Sequence, residues 1–272
     1  MYEDLVRGVD PIIDSRLFYQ GDTSLIYKKD NYLYKIYLKK EPNKRYILDY
    51  LITNYNELKD ISAPPINKLR IEENYGMKMQ YINSIDFLKY LRQNPDISDF
   101  MNKMSILSNN LKTMHKLEIH FTDLHHHNIL ISDKGYPLFI DLDDASIGEF
   151  CSTHICATSR VLHKVQEKGL DYEYQLMKNG DLDNESLALM FANYLFSKET
   201  QNMKRVEYFN LLDTYSKDLD MDLVRVLFEL RKNEDSRKIV KYPYYIGDYI
   251  STSSVKSLQK IKRRSMYENH HF

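Results

Sequence analysis

Residues 115–145 read HKLEIHFTDLHHHNILISDKGYPLFIDLDDA, and the rest of the chain is best understood from them. Ile129-Leu130-Ile131 and Leu138-Phe139-Ile140 are short apolar runs, separated by the turn signal Ser132-Asp133-Lys134-Gly135. That is the pattern of a β-hairpin with buried strands and a wet tip. A hairpin brings its open ends together, so Asn128, just before the first strand, and Asp141, just after the second, are expected as neighbours. Asp123 then sits on the loop leading in. Two carboxylates and a carboxamide converging at strand ends repel one another and lose hydration unless something positive sits among them. A hard cation such as Mg2+, which takes oxygen ligands and keeps phosphate and water in its shell, meets that need.

The same stretch resembles the catalytic and metal-binding loops of the protein kinase-like superfamily, whose pattern is D-x-x-x-x-N, a strand hairpin and a second Asp. Asp123-Leu-His-His-His-Asn128 has that spacing, and Asp141 falls where the magnesium Asp belongs. His125 after Asp-Leu makes the loop similar to the aminoglycoside, choline and Rio-type branch rather than to ordinary protein kinases, which carry Lys there.

Composition is compatible with this. A chain of 272 residues with 43 % apolar content has ample material for a core. Lys and Arg (38) nearly balance Asp and Glu (39), so no global field favours nucleic acid or an anionic membrane as partner. A local exception is the C-terminal run Lys256, Lys260, Lys262, Arg263 and Arg264, read as a solvated helix face. No apolar run reaches the roughly 18 residues a membrane span needs. Cys151 and Cys156 make no disulfide framework and the first residues form no signal peptide, so a cytoplasmic setting is expected.

Upstream, residues 16–38 alternate apolar and polar positions around two breaks, predicting three antiparallel strands. Gly21-Asp22-Thr23-Ser24 in the first break is where a nucleotide kinase lays backbone N–H groups over phosphates. Lys35, flanked by Tyr34, Ile36 and Tyr37, is expected to point inward while those neighbours point outward, and a buried ammonium needs an anion. The resemblance implies that this lysine holds the nucleotide phosphates and pairs with an acid on the next helix, read over 43–60. Asp49 is the candidate by distance and Glu57 the better residue type. Strands at 66–71 and 77–82 follow, and the resemblance makes Gln80, Tyr81 and Ile82 the hinge whose backbone would hydrogen-bond adenine. A helix after Ser84 and a long one over 97–117 lead into the catalytic loop. Only 43 residues separate Gln80 from Asp123, which leaves no room for the extra helices of small-molecule kinases. Past Ala145 helices are predicted at about 184–198, 203–217, 220–233 and 254–263.

The resemblance thus implies an α+β, bilobal kinase-like fold: residues 1–80 as a nucleotide-binding lobe and 81–272 as a mostly helical lobe. It implies ATP and Mg2+ as cofactors and transfer of the γ-phosphoryl group to a hydroxyl. Asp123, Lys35 and Asn128 would be catalytic. Asn128, Asp141 and Asp143 would hold the metal, with Asp144 an alternative to Asp143. Asp49 would complete the nucleotide site. The favoured acceptor is a protein Ser/Thr side chain, with a small molecule as the alternative. A binding module lacking catalysis, or nucleotidyl transfer, are further readings. Phe121-Thr122 stands where the family has His-Arg or His-Gly, so no phosphate switch in 145–160 is expected. His125, His126 and His127 are consecutive, which disfavours chelation of one zinc ion, and Cys151, His154 and Cys156 are read as coincidental.

Overall fold

The structure is a computed structural model that describes residues 15–39, 43–71, 74–121, 124–150, 180–232 and 242–269. Strands β1 (Arg16–Gln20), β2 (Ser24–Lys29) and β3 (Tyr32–Tyr37) form the expected meander. With β4 (Pro65–Ile71) and β5 (Asn74–Gln80) they make an antiparallel sheet of order β1-β2-β3-β5-β4. Gly76 is required where β5 crosses β3, because a Cβ there would lie 2.5 Å from the Lys35 carbonyl.

The two faces of this sheet differ. Tyr34 and Ile36 pack with Leu69 on one. Leu33 and Tyr37 pack with Met77, Met79 and Leu48 on the other, and Leu48 belongs to helix α1 (Lys44–Thr53). Strand periodicity puts Lys35 on the α1 face together with Tyr37, two residues on. The expectation that Tyr37 points away from Lys35 is therefore corrected. The helix predicted over 43–60 is also interrupted. Asn54 bonds back to the Tyr50 carbonyl through both its backbone N–H and its side chain, and a short α2 (Tyr55–Leu58) follows.

After β5 the chain adds β6 (Ser84–Asp86), which pairs with the hairpin β8 (Ile129–Ser132) and β9 (Pro137–Phe139). Helix α3 (Phe87–Arg92) is capped by the Asp86 carboxylate, which accepts from the Lys89 N–H. Helix α4 (Ile97–Lys116) is capped by Asp96. Its buried Phe100, Met104, Leu107, Leu111 and Met114 recur at helical spacing and form the centre of the core. β7 (Ile119–His120) pairs with β10 (Ser146–Ile147), closing the loop between α4 and the hairpin.

The remaining helices are α5 (Gly180–Phe196), α6 (Arg205–Ser216), α7 (Met221–Lys232), α8 (Ile246–Ile250) and α9 (Val255–Asn269). α5 is apolar on nearly every side, with Leu187, Phe191, Leu195 and Phe196 all buried, as befits a helix enclosed by others. The segment ahead of β4 is tied to the hairpin: the Phe139 N–H donates to the Ile61 carbonyl, and the Ala63 N–H donates to the Phe139 carbonyl. The basic run on α9 is largely spent locally. Lys260 pairs with Asp218, Arg264 with Glu268, and Lys262 turns inward to the Tyr194 carbonyl and Ser197. Among the described residues no helix is long and apolar enough to cross a membrane.

Candidate active site

The hairpin does what its sequence foretells. Ile129 faces Phe139 across the ladder, both fully buried, and Gly135 turns the tip at φ +80°. One further bond, from the Ile140 N–H to the Asn128 carbonyl at 3.0 Å, extends the ladder and sets Asn128 beside the strand that delivers Asp141. Asn128 ends a single 3-10 turn, His126–Asn128, in which its N–H bonds the His125 carbonyl. Asp141 adopts a left-handed conformation at φ 60°, unusual for a residue other than glycine and enriched where function needs it. The 3-10 turn Leu142–Asp144 follows, pinned by the fully buried Leu142.

That turn supplies the partners of Lys35. Its Nζ lies 2.9 Å from one Asp143 carboxylate oxygen and 3.3 Å from Asp141, with Asp144 at 3.8 Å. The Tyr37 hydroxyl donates to Asp143 at 2.9 Å. Lys44, the first residue of α1, donates to the Asp143 carbonyl at 2.9 Å and pairs with the Asp144 carboxylate. Burial alone would lower the Lys35 pKa, but Asp143, Asp141 and Asp144 together hold it above the ordinary ammonium value. Burial would raise Asp143, and the two lysines and Tyr37 hold it down instead, to about 2. Asp144 is pushed up by burial and by the charge of Asp143. Tyr37 is raised by burial first and then by Asp143.

Two expectations are thereby corrected. Asp49 does not meet Lys35; it pairs with Lys68 on β4, and Glu57 sits on the separate helix α2. Asp143 does not face open space as a metal ligand would. Its side chain is wholly enclosed between Lys35, Tyr37 and Lys44, and the carboxylates that line the cleft are Asp141 and Asp144.

The cleft between sheet and hairpin has a volume of about 730 Å3. Ile26, Leu33 and Met79 line it from the sheet, Leu130 and Ile140 from the hairpin, and Ala63 from the segment ahead of β4. Gln80, Tyr81 and Ile82 border it as well. The Tyr81 N–H is taken by the Asn31 carbonyl, continuing the β3–β5 ladder. Alternation in an antiparallel pair then turns the main-chain groups of Gln80 away from β3. Asn128, Asp141 and Asp144 lie at the other end, beside His125 and His127. The lining takes in Phe18 and Tyr19 but not Gly21, Asp22, Thr23 or Ser24, which form a turn closed by the Gly21 N–H on the Ser24 carbonyl.

Asp123 and Thr122 lie outside the described residues, as do Cys151, His154, Cys156 and the part of 145–160 from 151 on. The residues around Asp123 are firmly held. Leu124 is buried, the Phe121 ring packs on Phe139, and the Phe121 N–H donates to the Asp183 carboxylate at 2.8 Å. Asp183, on α5, also meets His115 Nε2 at 3.1 Å, and His115 Nδ1 meets the Tyr245 hydroxyl. Sequence reasoning overlooked Asp183, Tyr37 and Lys44; the polar stretch Asp181-Leu-Asp-Asn-Glu-Ser186 gives no local sign that the Asp183 charge is enclosed. Of the three adjacent histidines only His126 turns away, while His125 and His127 both line the cleft. The His127 N–H donates to His125 Nδ1, while His126 stacks on Phe87.

Among the described residues two ammonium groups face three carboxylates in this network, leaving an excess of negative charge. Asp141 and Asp144 offer carboxylate oxygens and Asn128 an amide oxygen, a donor set that suits a hard divalent cation.

No family model matches the sequence, and no curated protein matches it either. Among solved structures the chain is similar to the kinase domain of PknI from Mycobacterium tuberculosis, determined as a double mutant, at 12 % identity and a TM-score of 0.55. The likeness covers 92 % of this chain and 94 % of that one, so it extends well past Ala145 into the C-terminal helices. Sheet, hairpin and helical body, in this order and over this length, give the chain the bilobal α+β fold of a protein kinase domain.

Proposed function

We propose that the protein is a phosphotransferase that uses ATP and Mg2+ and moves the γ-phosphoryl group to a hydroxyl. The observation that carries this reading is the polarity of the cleft. One end is apolar and bordered by the main chain of 80–82, and the other gathers Asn128, Asp141 and Asp144 in front of a buried lysine. A purine would lie between Leu33 and Leu130, with main-chain groups of Gln80 and Ile82 bonding its edge. Asn128, Asp141 and Asp144 would hold Mg2+, which would supply positive charge to offset that of the phosphates. Lys35 presents its ammonium beside Asp141, where the phosphates would lie. Asp123, two residues beyond the anchored Phe121, would orient the acceptor hydroxyl and take its proton. Such a protein supplies mainly position and electrostatics, since phosphoryl transfer needs little covalent help.

A protein Ser/Thr side chain is the favoured acceptor. Between β5 and the catalytic loop only β6, α3, α4 and β7 intervene, and the buried faces of both helices are spent on the core, leaving no separate wall for a small molecule. His125 in the cleft supports the small-molecule alternative, because it carries the Asp-Leu-His pattern. The test is incubation with ATP labelled at the γ or the α position, with Mg2+, against lysate proteins and small metabolites. Transfer of γ but not α label, abolished by Asp141→Asn, is expected. Transfer of α label would mean nucleotidylation, and neither transfer nor nucleotide binding would overturn the reading.

A further inference from the structure

Lys35 and Lys44 share one buried carboxylate. Asp143 Oδ2 lies 2.9 Å from Lys35 Nζ and 3.6 Å from Lys44 Nζ, and the Asp143 side chain has no exposure while each lysine has 6 %. Two ammonium groups so enclosed repel each other unless an anion lies between them. The acid on α1 nearest in sequence, Asp49, is committed to Lys68. What α1 directs at this centre is a base, with bonds to the Asp143 carbonyl and to Asp144 as well.

We propose that Asp143 is a positioning residue that bridges Lys35 to Lys44, so that α1 controls the phosphate-site lysine through an acid on the turn after β9. The polarity is inverted relative to an acid on the helix: the loop supplies the negative charge and the helix a second positive one. Displacing α1 would withdraw Lys44, relax the 142–144 turn and loosen the hold of Asp143 on Lys35. Nucleotide affinity would then depend on Lys44, although Lys44 is not among the residues lining the cleft. That functional consequence rests on the phosphotransferase reading; the bridge itself does not.

The experiment is a double-mutant cycle of Lys44→Met and Asp143→Asn on the full chain, with Lys44→Arg as the conservative variant. Two quantities are read: Tm without ligand, and the Kd of a non-hydrolysable ATP analogue with Mg2+ at temperatures where every variant is folded. Asp143→Asn is expected to weaken binding by about tenfold or more, the worth of a charge-assisted bond to Lys35. Lys44→Met weakens it severalfold and Lys44→Arg restores it. The bridge requires that the double variant bind no more weakly than Asp143→Asn alone and that the losses in Tm be less than additive, in an Asp144→Asn background that removes the direct Lys44–Asp144 pair as well as in the wild type. If Asp143→Asn does not fold, Tyr37→Phe, which removes a single bond to Asp143, replaces it in the cycle. An unchanged Kd in Lys44→Met, or losses that multiply in Kd and add in Tm, would overturn the bridge while leaving the phosphotransferase reading intact. Should the wild type bind no nucleotide, the Tm cycle still decides the bridge, and it is the phosphotransferase reading that fails.

Discussion

Replacing Asp183 by alanine should damage the protein out of proportion to the size of the change. Asp183 is 1 % exposed, and one of its oxygens accepts both the Phe121 N–H at 2.8 Å and His115 Nε2 at 3.1 Å. A carboxylate oxygen accepts, so His115 Nε2 is the donor to Asp183. Truncation to alanine leaves two buried donors without an acceptor, each costing about 1–3 kcal/mol, so the loss is about 2–6 kcal/mol. For a domain of this size each kcal/mol moves Tm by about 2–4 °C, which places the fall on the order of 5–20 °C. Asp183→Asn keeps an acceptor oxygen of the same shape and should cost roughly half as much. Thermal unfolding of both variants measures this. Phosphotransfer assayed well below each Tm then measures the second consequence, a fall in turnover as the segment leading to Asp123 loses its tether. A Tm for Asp183→Ala within about 2 °C of wild type would refute the claim that this carboxylate anchors the loop.

Two further outcomes follow from the packing. His126 stacks on Phe87, and burial, then the neighbouring His125 and His127, lowers its pKa. A histidine with a depressed folded pKa contributes stability that is present above its unfolded value of 6.5 and is lost as pH falls below it, so His126→Phe should narrow the difference in Tm between pH 7.5 and pH 5. A difference as wide as wild type would count against it. Gly247 on α8 approaches α4 so closely that an added Cβ would lie 2.6 Å from that of Ser108, and its N–H donates to the Ser108 hydroxyl. Gly247→Ala should therefore cost about 1–3 kcal/mol by chemical denaturation, against the gain a helical alanine normally brings.

The hairpin and its two polar ends were legible because each step is local: apolar strands, a turn needing a glycine at positive φ, and end residues brought together by the ladder. The long helix α4 was legible for the same reason, with Phe100, Met104, Leu107 and Leu111 marking one face. What stayed hidden were pairings between distant segments. Lys35 finds Asp143 across 108 positions, whereas the acid nearest in sequence, Asp49, finds Lys68. Lys44 reads as a solvated residue at a helix start because nothing local shows that the start is buried. Elements such as β7, β10 and α8 are too short to carry a period of their own and exist by docking. In the sequence the adjacent acids Asp143 and Asp144 look alike; a single 3-10 turn decides which is enclosed.

The bond from the Tyr81 N–H to the Asn31 carbonyl fixes the phase of the pleat through 80–82. Whatever the cleft recognises along that edge, it presents main chain, and the display is set by parity. Gln80, Tyr81 and Ile82 can all exchange side chains and leave the pattern of donor and acceptor unchanged, so substitutions can accumulate there without altering what is offered. Removing one residue from the paired end of β5, between Gly76 and Tyr81, is a different matter, because it shifts the register by one and turns the opposite set of main-chain groups toward the cleft. The segment is thus tolerant to spelling and intolerant to length.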